Sequence, residues 1–320
     1  MSFKDIRGQE RQLGILREAM YTGRLAGSYL FSGPEGIGKS MIARKLAMAL
    51  NCLKLKDDAC EECASCKKIA NNTHPDIHVI APVDSSVIKI EQVQELQRSM
   101  GLKPYEAKRK AFIIDNAHLL SAEAQNALLK VLEEPVKDSL IILISAKPQL
   151  LFKTIISRCQ RLKFSPFKRS ELQGILKESY SFDASLAHYL AYSCEGKLGL
   201  AIGLKESDPL THKNRIIDSF INTKSNSADS FFASDKNELR EALNILTQWF
   251  RDIYLLKTGV MHSELINLDR KNDLLKLMQK FSFSEIEEIL GCISDSIGYL
   301  SQNINTKLML ANLKAHMEVG

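Results

Sequence analysis

The stretch Ser32-Gly33-Pro34-Glu35-Gly36-Ile37-Gly38-Lys39-Ser40 matches the phosphate-binding template GxxxxGK[ST] at every fixed position. It restricts the chain to folds in which a strand runs through a tight loop into a helix. Gly33, Gly36 and Gly38 let the backbone curl so that its N–H groups point inward at phosphate oxygens. Lys39 can reach the terminal phosphates, and Ser40 can offer its hydroxyl to Mg²⁺. The apolar run from Ser28 to Phe31 supplies the strand. The helix formers from Met41 to Leu50 supply the helix, whose positive dipole end falls at the same phosphates. ATP with Mg²⁺ is the expected ligand, and a chance glycine-rich turn is the alternative.

Further along, Ala111-Phe112-Ile113-Ile114-Asp115 reads as a buried strand ending in an acid, placed so that Asp115 can hold Mg²⁺ through its water shell. A simple strand-capping aspartate is the competing reading. The next residue is Asn116, which hydrogen-bonds but cannot act as a base. Ile77–Ile80, Leu140–Ser145 and Gln160–Phe164 read as further strands. Ser145 is expected to point toward the phosphate site, and a helix over Ala122–Leu132 is capped by Ser121. Five strands with intervening helices predict a doubly wound α/β domain over residues 1–165.

After Pro166 the pattern turns helical, over 168–178, 183–194 and 197–204, which suggests a small helical domain over 166–207. The polar stretch Asn222–Ser230 then interrupts the chain. Leu239, Leu243, Leu246, Phe250, Ile253 and Tyr254 share one helix face, and Ile286, Ile289, Leu290, Ile293, Ile297 and Leu300 share another, so residues 208–320 read as all-α.

Cys52, Cys60, Cys63 and Cys66 have the spacing C-x7-C-x2-C-x2-C, close enough to close a tetrahedral shell around a structural Zn²⁺. Unliganded thiols and a catalytic metal are the alternatives. Cys159, Cys194 and Cys292 are isolated and read as packed side chains. His74 reads as a turn residue and His78 as a solvent-facing strand residue, with metal ligation the competing role for both. The run Lys108-Arg109-Lys110 is either a solvated strand entrance or a phosphate contact, and a formal charge of +5 does not choose. With 45% apolar residues, no uncharged apolar run of membrane-spanning length and no signal-like start, the chain is expected to be a cytoplasmic globular protein.

Phe3-x-Asp5-Ile6-x-Gly8-Gln9, Tyr29-Leu30-Phe31-Ser32-Gly33-Pro34, the four cysteines, His74-Pro75-Asp76, Asn126-Ala127-Leu128-Leu129-Lys130-x-Leu132-Glu133-Glu134-Pro135 and Ser157-Arg158-Cys159 together carry a resemblance. Over roughly residues 3–204 the chain resembles the AAA+ clamp-loader subunits of bacterial DNA polymerase III. The resemblance implies a P-loop AAA+ domain with a five-stranded parallel sheet and a zinc module, a small helical lid, and an all-α C-terminal collar that holds five subunits in a ring. It implies gamma/tau and delta subunits as partners in a hetero-pentamer, with the sliding clamp and primer-template DNA reached through that complex. By the same implication Arg158 is an arginine finger aimed at the γ-phosphate of a neighbour's ATP, a contribution of roughly 10³ to 10⁵ in rate where such fingers act. A core-edge salt bridge is the alternative for Arg158.

A gamma/tau motor subunit is expected to show Asp-Glu where Asp115-Asn116 stands, a threonine near Ala146 and an arginine where Gly199 falls in Gly196-Lys197-Leu198-Gly199. Lys197, two residues away, is the candidate substitute for that arginine. The departures, and a length without a long extension past the collar, favour a ring-completing subunit that hydrolyses ATP weakly or not at all over a motor with its own ATPase.

Overall fold

The computed structural model describes residue 3, residues 6–82, 87–221 and 236–300, and residues 309, 312, 313, 315 and 316. The stretch Asn222–Ser230 lies outside the described residues. Two compact units divide the backbone: Met1–Lys168 with Gly196–Leu200, and Arg169–Glu195 with Ala201–Gly320.

The first unit runs α1 (Glu10–Tyr21), β1 (Ser28–Ser32), α2 (Lys39–Asn51), α3 (Ala64–Ala70), β2 (Ile77–Ile80), α4 (Ile90–Gly101), β3 (Lys110–Ile114), α5 (Ala122–Glu133), β4 (Ser139–Ser145), α6 (Lys153–Arg158) and β5 (Gln160–Lys163). The five strands form one parallel sheet, as expected, and the structure gives their order as β2-β3-β4-β1-β5. β1, β3 and β4 are buried along their whole length, because helices cover both faces of a parallel sheet. The pleat sends alternate residues to opposite cores: Tyr29, Phe31, Ile113 and Ile142 pack with Leu16, Ile42 and Leu46. Leu30, Phe112, Ile114, Ile141 and Leu143 pack with Val93, Leu96, Leu128 and Ile155 on the other side. The register aligns Ser32 with Ser145 and Ile114 with Leu143, so the C-terminal ends of the central strands share one rim. Ligands of open α/β sheets bind at such a rim.

The structure sharpens three expectations. His78 is half-buried rather than fully solvent-facing, with one face of its ring stacked on Phe112 of the adjacent strand, centroids 5.0 Å apart. Ser145 spends its hydroxyl accepting the Lys147 N–H at 3.2 Å, and its carbonyl, not its side chain, meets the loop by accepting the Gly33 N–H. Of the basic run, Lys108 stays exposed and Arg109 half-buried at the strand entrance, their Nζ and Nε donating to the carbonyls of Cys52 and Ser139, while Lys110 is buried and donates to the carbonyls of Ser99 and Leu102.

The second unit is helical, with α7 (Arg169–Tyr180), α8 (Ala184–Ser193), α10 (Pro209–Ile221), α11 (Lys236–Lys257), α12 (Lys271–Lys280) and α13 (Phe283–Tyr299); α9 (Leu198–Gly203) begins in the first unit and ends here. The apolar faces of α11 and α13 meet in one core through Leu243, Leu246, Trp249, Ile253, Ile286, Ile289 and Ile293. Ser282 and Glu285 close a capping box at the start of α13. No helix among the described residues is long and apolar enough to cross a membrane.

Candidate functional site

β1 delivers the chain to the loop, and Gly33, Gly36 and Gly38 take φ values of +145°, +74° and +94°. Only glycine fits at Gly33, where a Cβ would stand 2.3 Å from the Phe164 carbonyl oxygen. Gly38 is the N-cap of α2 and offers no side chain to its first N–H groups, which leaves that helix start suited to an anion. A cavity of about 400 Å³ opens there, lined by Lys39, Ser40, Glu35, Asp115, Asn116 and Gly199 among others. These residues fit a Mg²⁺-bound phosphate chain: Lys39 to neutralise it, Ser40 and Asp115 to hold the metal. Bound there, the metal and nucleotide would supply an electrophilic phosphorus and a charged leaving group.

Lys39 is turned onto its own loop. Its buried ammonium donates to the carbonyls of Gly33 at 2.8 Å and Pro34 at 2.5 Å. Burial draws its pKa below the usual lysine value, and the nearby carboxylates of Asp115 and Glu35 work against that shift. Asp115 follows β3 directly, and its Oδ1 accepts the Asn116 N–H at 2.9 Å. Asn116 itself takes the left-handed conformation, φ +52°, that starts a short 3₁₀ turn, a place where asparagine is at ease. Glu35 was not singled out in the sequence because it occupies a free position of the template.

Gly199 presses on the phosphate loop. Its N–H donates to the Gly36 carbonyl at 2.7 Å, and a Cβ at position 199 would stand 2.8 Å from that same oxygen. No side chain can be added there without moving one of the two backbones. Sequence spacing places a glycine at this position but gives no sign of the contact.

Arg158 ends α6 and is not among the residues lining the cavity. Its side chain is 34% exposed, with Nη2 2.7 Å from Glu133 Oε1 and Nη1 donating to the Thr154 carbonyl at 2.9 Å.

The four cysteines do come together: their Sγ atoms all lie within 4.8 Å of one another. A tetrahedral zinc with Zn–S near ~2.3 Å separates its sulfurs by about 3.8 Å, so the set fits with small adjustments. Three sulfurs already accept backbone N–H groups, from Leu55 to Cys52, Cys63 to Cys60 and Cys66 to Cys63. Burial opposes the Cys63 thiolate, but backbone N–H groups and neighbouring thiols outweigh it and bring the group down to about 6. Burial pushes Cys66 up to about 12. A metal able to hold four sulfurs would remove that conflict. Among the described residues the module's buried core holds Met48, Ala59 and Ile69 besides cysteines, with Ile77 packed against it, little apolar bulk to hold the segment alone. Cys52 caps the C-terminal end of α2, so the module grips the far end of the helix that begins at Lys39.

Compared with known proteins, residues 8–168 match the family described as DNA polymerase III, delta subunit, and residues 214–316 match its C-terminal family. The delta' subunit of DNA polymerase III from Bacillus subtilis is 29% identical, with 98% of this chain and 97% of that protein covered. The tau subunit from the same organism is 38% identical over 54% of this chain and 30% of its own length. Among solved structures, a DNA polymerase III gamma subunit-related protein from Thermotoga maritima aligns over 95% of this chain and 98% of its own at 18% identity, with a TM-score of 0.45.

Proposed function

The chain belongs to the DNA polymerase III delta-subunit family, and on that premise we propose that it is a delta'-type clamp-loader subunit. In this reading it completes a ring with gamma/tau and delta subunits in the cytoplasm and helps place the sliding clamp on primed DNA. Residues 1–165 form the AAA+ domain, 166–207 the lid and 208–320 the collar. Cys52, Cys60, Cys63 and Cys66 hold one structural zinc. Gly33, Gly36, Gly38, Lys39, Ser40 and Asp115 form a nucleotide site that hydrolyses weakly or not at all, and Arg158 serves as the finger for a neighbour's ATP.

The observation that carries this reading is the extent of the two matches. Similarity to delta' covers 98% of this chain and 97% of that protein, whereas the higher identity to tau covers 54% of this chain and leaves most of tau without a counterpart. The loop geometry supports the same choice. A motor needs a base after Asp115 and a cation at position 199, but Asn116 is spent on a left-handed turn and Gly199 has no room for a side chain. A motor subunit remains the second reading, favoured by the tau identity.

ATP turnover by the purified chain separates the two. The expected result is no sustained hydrolysis above the level of Lys39→Ala. Robust turnover that Lys39→Ala abolishes would establish the motor instead.

A further inference from the structure

Glu133 and Arg158 are the last residues of α5 and α6, and they are joined by the 2.7 Å ion pair. The guanidinium is also tied to Thr154, one turn back on its own helix. It is thus folded onto its own chain from two sides. A guanidinium that serves a phosphate on another subunit has to leave this arrangement. Carboxylate and phosphate oxygens compete for the same planar fork of donors, so the two partners exclude each other at Nη2.

We propose that Glu133 is the counter-ion that parks Arg158 and sets how readily it is released to a nucleoside triphosphate held by the neighbouring subunit. The proposal rests on Arg158 being a finger in trans. Before a phosphate arrives, the carboxylate keeps the cation folded and partly neutralised. Once the ring closes on a bound triphosphate, the greater charge of the phosphate draws the guanidinium away. Both side chains are about a third to a half exposed, so the hold is weak and easily reversed.

The test is ATP turnover by a loader reconstituted from this chain with its gamma/tau and delta partners, without clamp or DNA. Glu133→Gln is expected to raise kcat/KM by roughly 1.4- to 5-fold, the range to which an exposed ion pair of ~0.2–1 kcal/mol converts. Glu134→Gln, which removes the adjacent exposed carboxylate, should leave the rate unchanged. Arg158→Ala should lower it, and Glu133→Gln added to Arg158→Ala should have no further effect. The proposal is overturned by an unchanged or reduced rate in Glu133→Gln, by an equal rise in Glu134→Gln, or by a rise that persists without Arg158. An Arg158→Ala loader with full activity would instead overturn the finger reading on which the proposal rests.

Discussion

The phosphate loop and the end of α6 each present one basic residue, and they dispose of it in opposite ways. Lys39 is buried and donates to two carbonyls of its own loop. Arg158 stays a third exposed, held by one carbonyl and by a carboxylate that water can reach. The loop is closed in on itself and braced by Gly199 against Gly36, and the helix that leaves it is held at its far end by the cysteine module. α6 itself is anchored in the core by Ile155, but the Arg158 side chain at its end is held only by polar contacts that a stronger anion can replace. The contrast is between a cation fixed within its own loop and one held at the surface by exchangeable partners.

The sharpest way to break that contrast is to remove each cation in turn. In the reconstituted loader, Arg158→Ala is expected to slow hydrolysis at the site it reaches by roughly 10³-fold or more. Lys39→Ala should change the loader's turnover by less than about twofold, because no essential hydrolysis is assigned to that loop. Single-turnover measurement on the loader checks both, and the reverse ranking would dissolve the distinction between the two regions.

The brace at the far end of α2 is next in size. Metal analysis is expected to find about one zinc per chain. Stripping it, or changing Cys63 to Ser, should lower the unfolding midpoint by about 5–10 °C, the shift that ~2–3 kcal/mol produces at this size. An unaltered midpoint in the metal-free protein would mean that the thiols pack without help.

Asp76 offers a third lever. Its carboxylate accepts the backbone N–H groups of Tyr105, Glu106 and Ala107 at 2.8–3.0 Å, holding the loop that leads into β3 and so to Asp115. Burial raises its pKa, but those three donors outweigh burial and the net shift is downward. A carboxyl depressed in the folded state contributes stability that is fully present above its ordinary value of 3.8 and is lost as pH falls through the lower folded value. Asp76→Asn should therefore cost about 1.5–3 kcal/mol at neutral pH. The gap to wild type should narrow only below pH ~4, as urea titrations across pH will show.

What could be read in the sequence was whatever is enforced locally. The phosphate loop was legible because its glycines must adopt positive φ at fixed spacing. β3 and β4 were legible because continuous apolar runs have few other uses. The cysteine cluster was legible from spacing alone. Contacts across the chain were not: the hydrogen bond from Gly199 to Gly36 and the cradle around Asp76 join residues with no shared pattern. The stacking of His78 on Phe112 was not legible, because nothing in its own strand announces the neighbour across it. Nor was the burial of Lys110, because charge composition does not reveal that the carbonyls of Ser99 and Leu102 hold its ammonium.

The smallest effect tests the closure of the loop by comparing two helical glycines. In α7, Gly174 has nothing within 4 Å of the place a Cβ would take, so Gly174→Ala should be neutral or stabilise the helix by ~0.5–1 kcal/mol through reduced freedom of the unfolded chain. At Gly199 the same methyl group meets the Gly36 oxygen at 2.8 Å and its carbonyl carbon at 3.4 Å, both backbone atoms. Neither can swing aside as a side chain would. Gly199→Ala should cost about 1–2 kcal/mol, the usual range for overpacking, and should loosen the hydrogen bond that holds Gly36. Amide exchange at Gly199 reports that bond directly: protection should fall in Gly199→Ala and be retained in Gly174→Ala. Equal protection in the two variants would mean that the turn yields freely, and the phosphate loop would then be no more fixed than the finger beside Glu133.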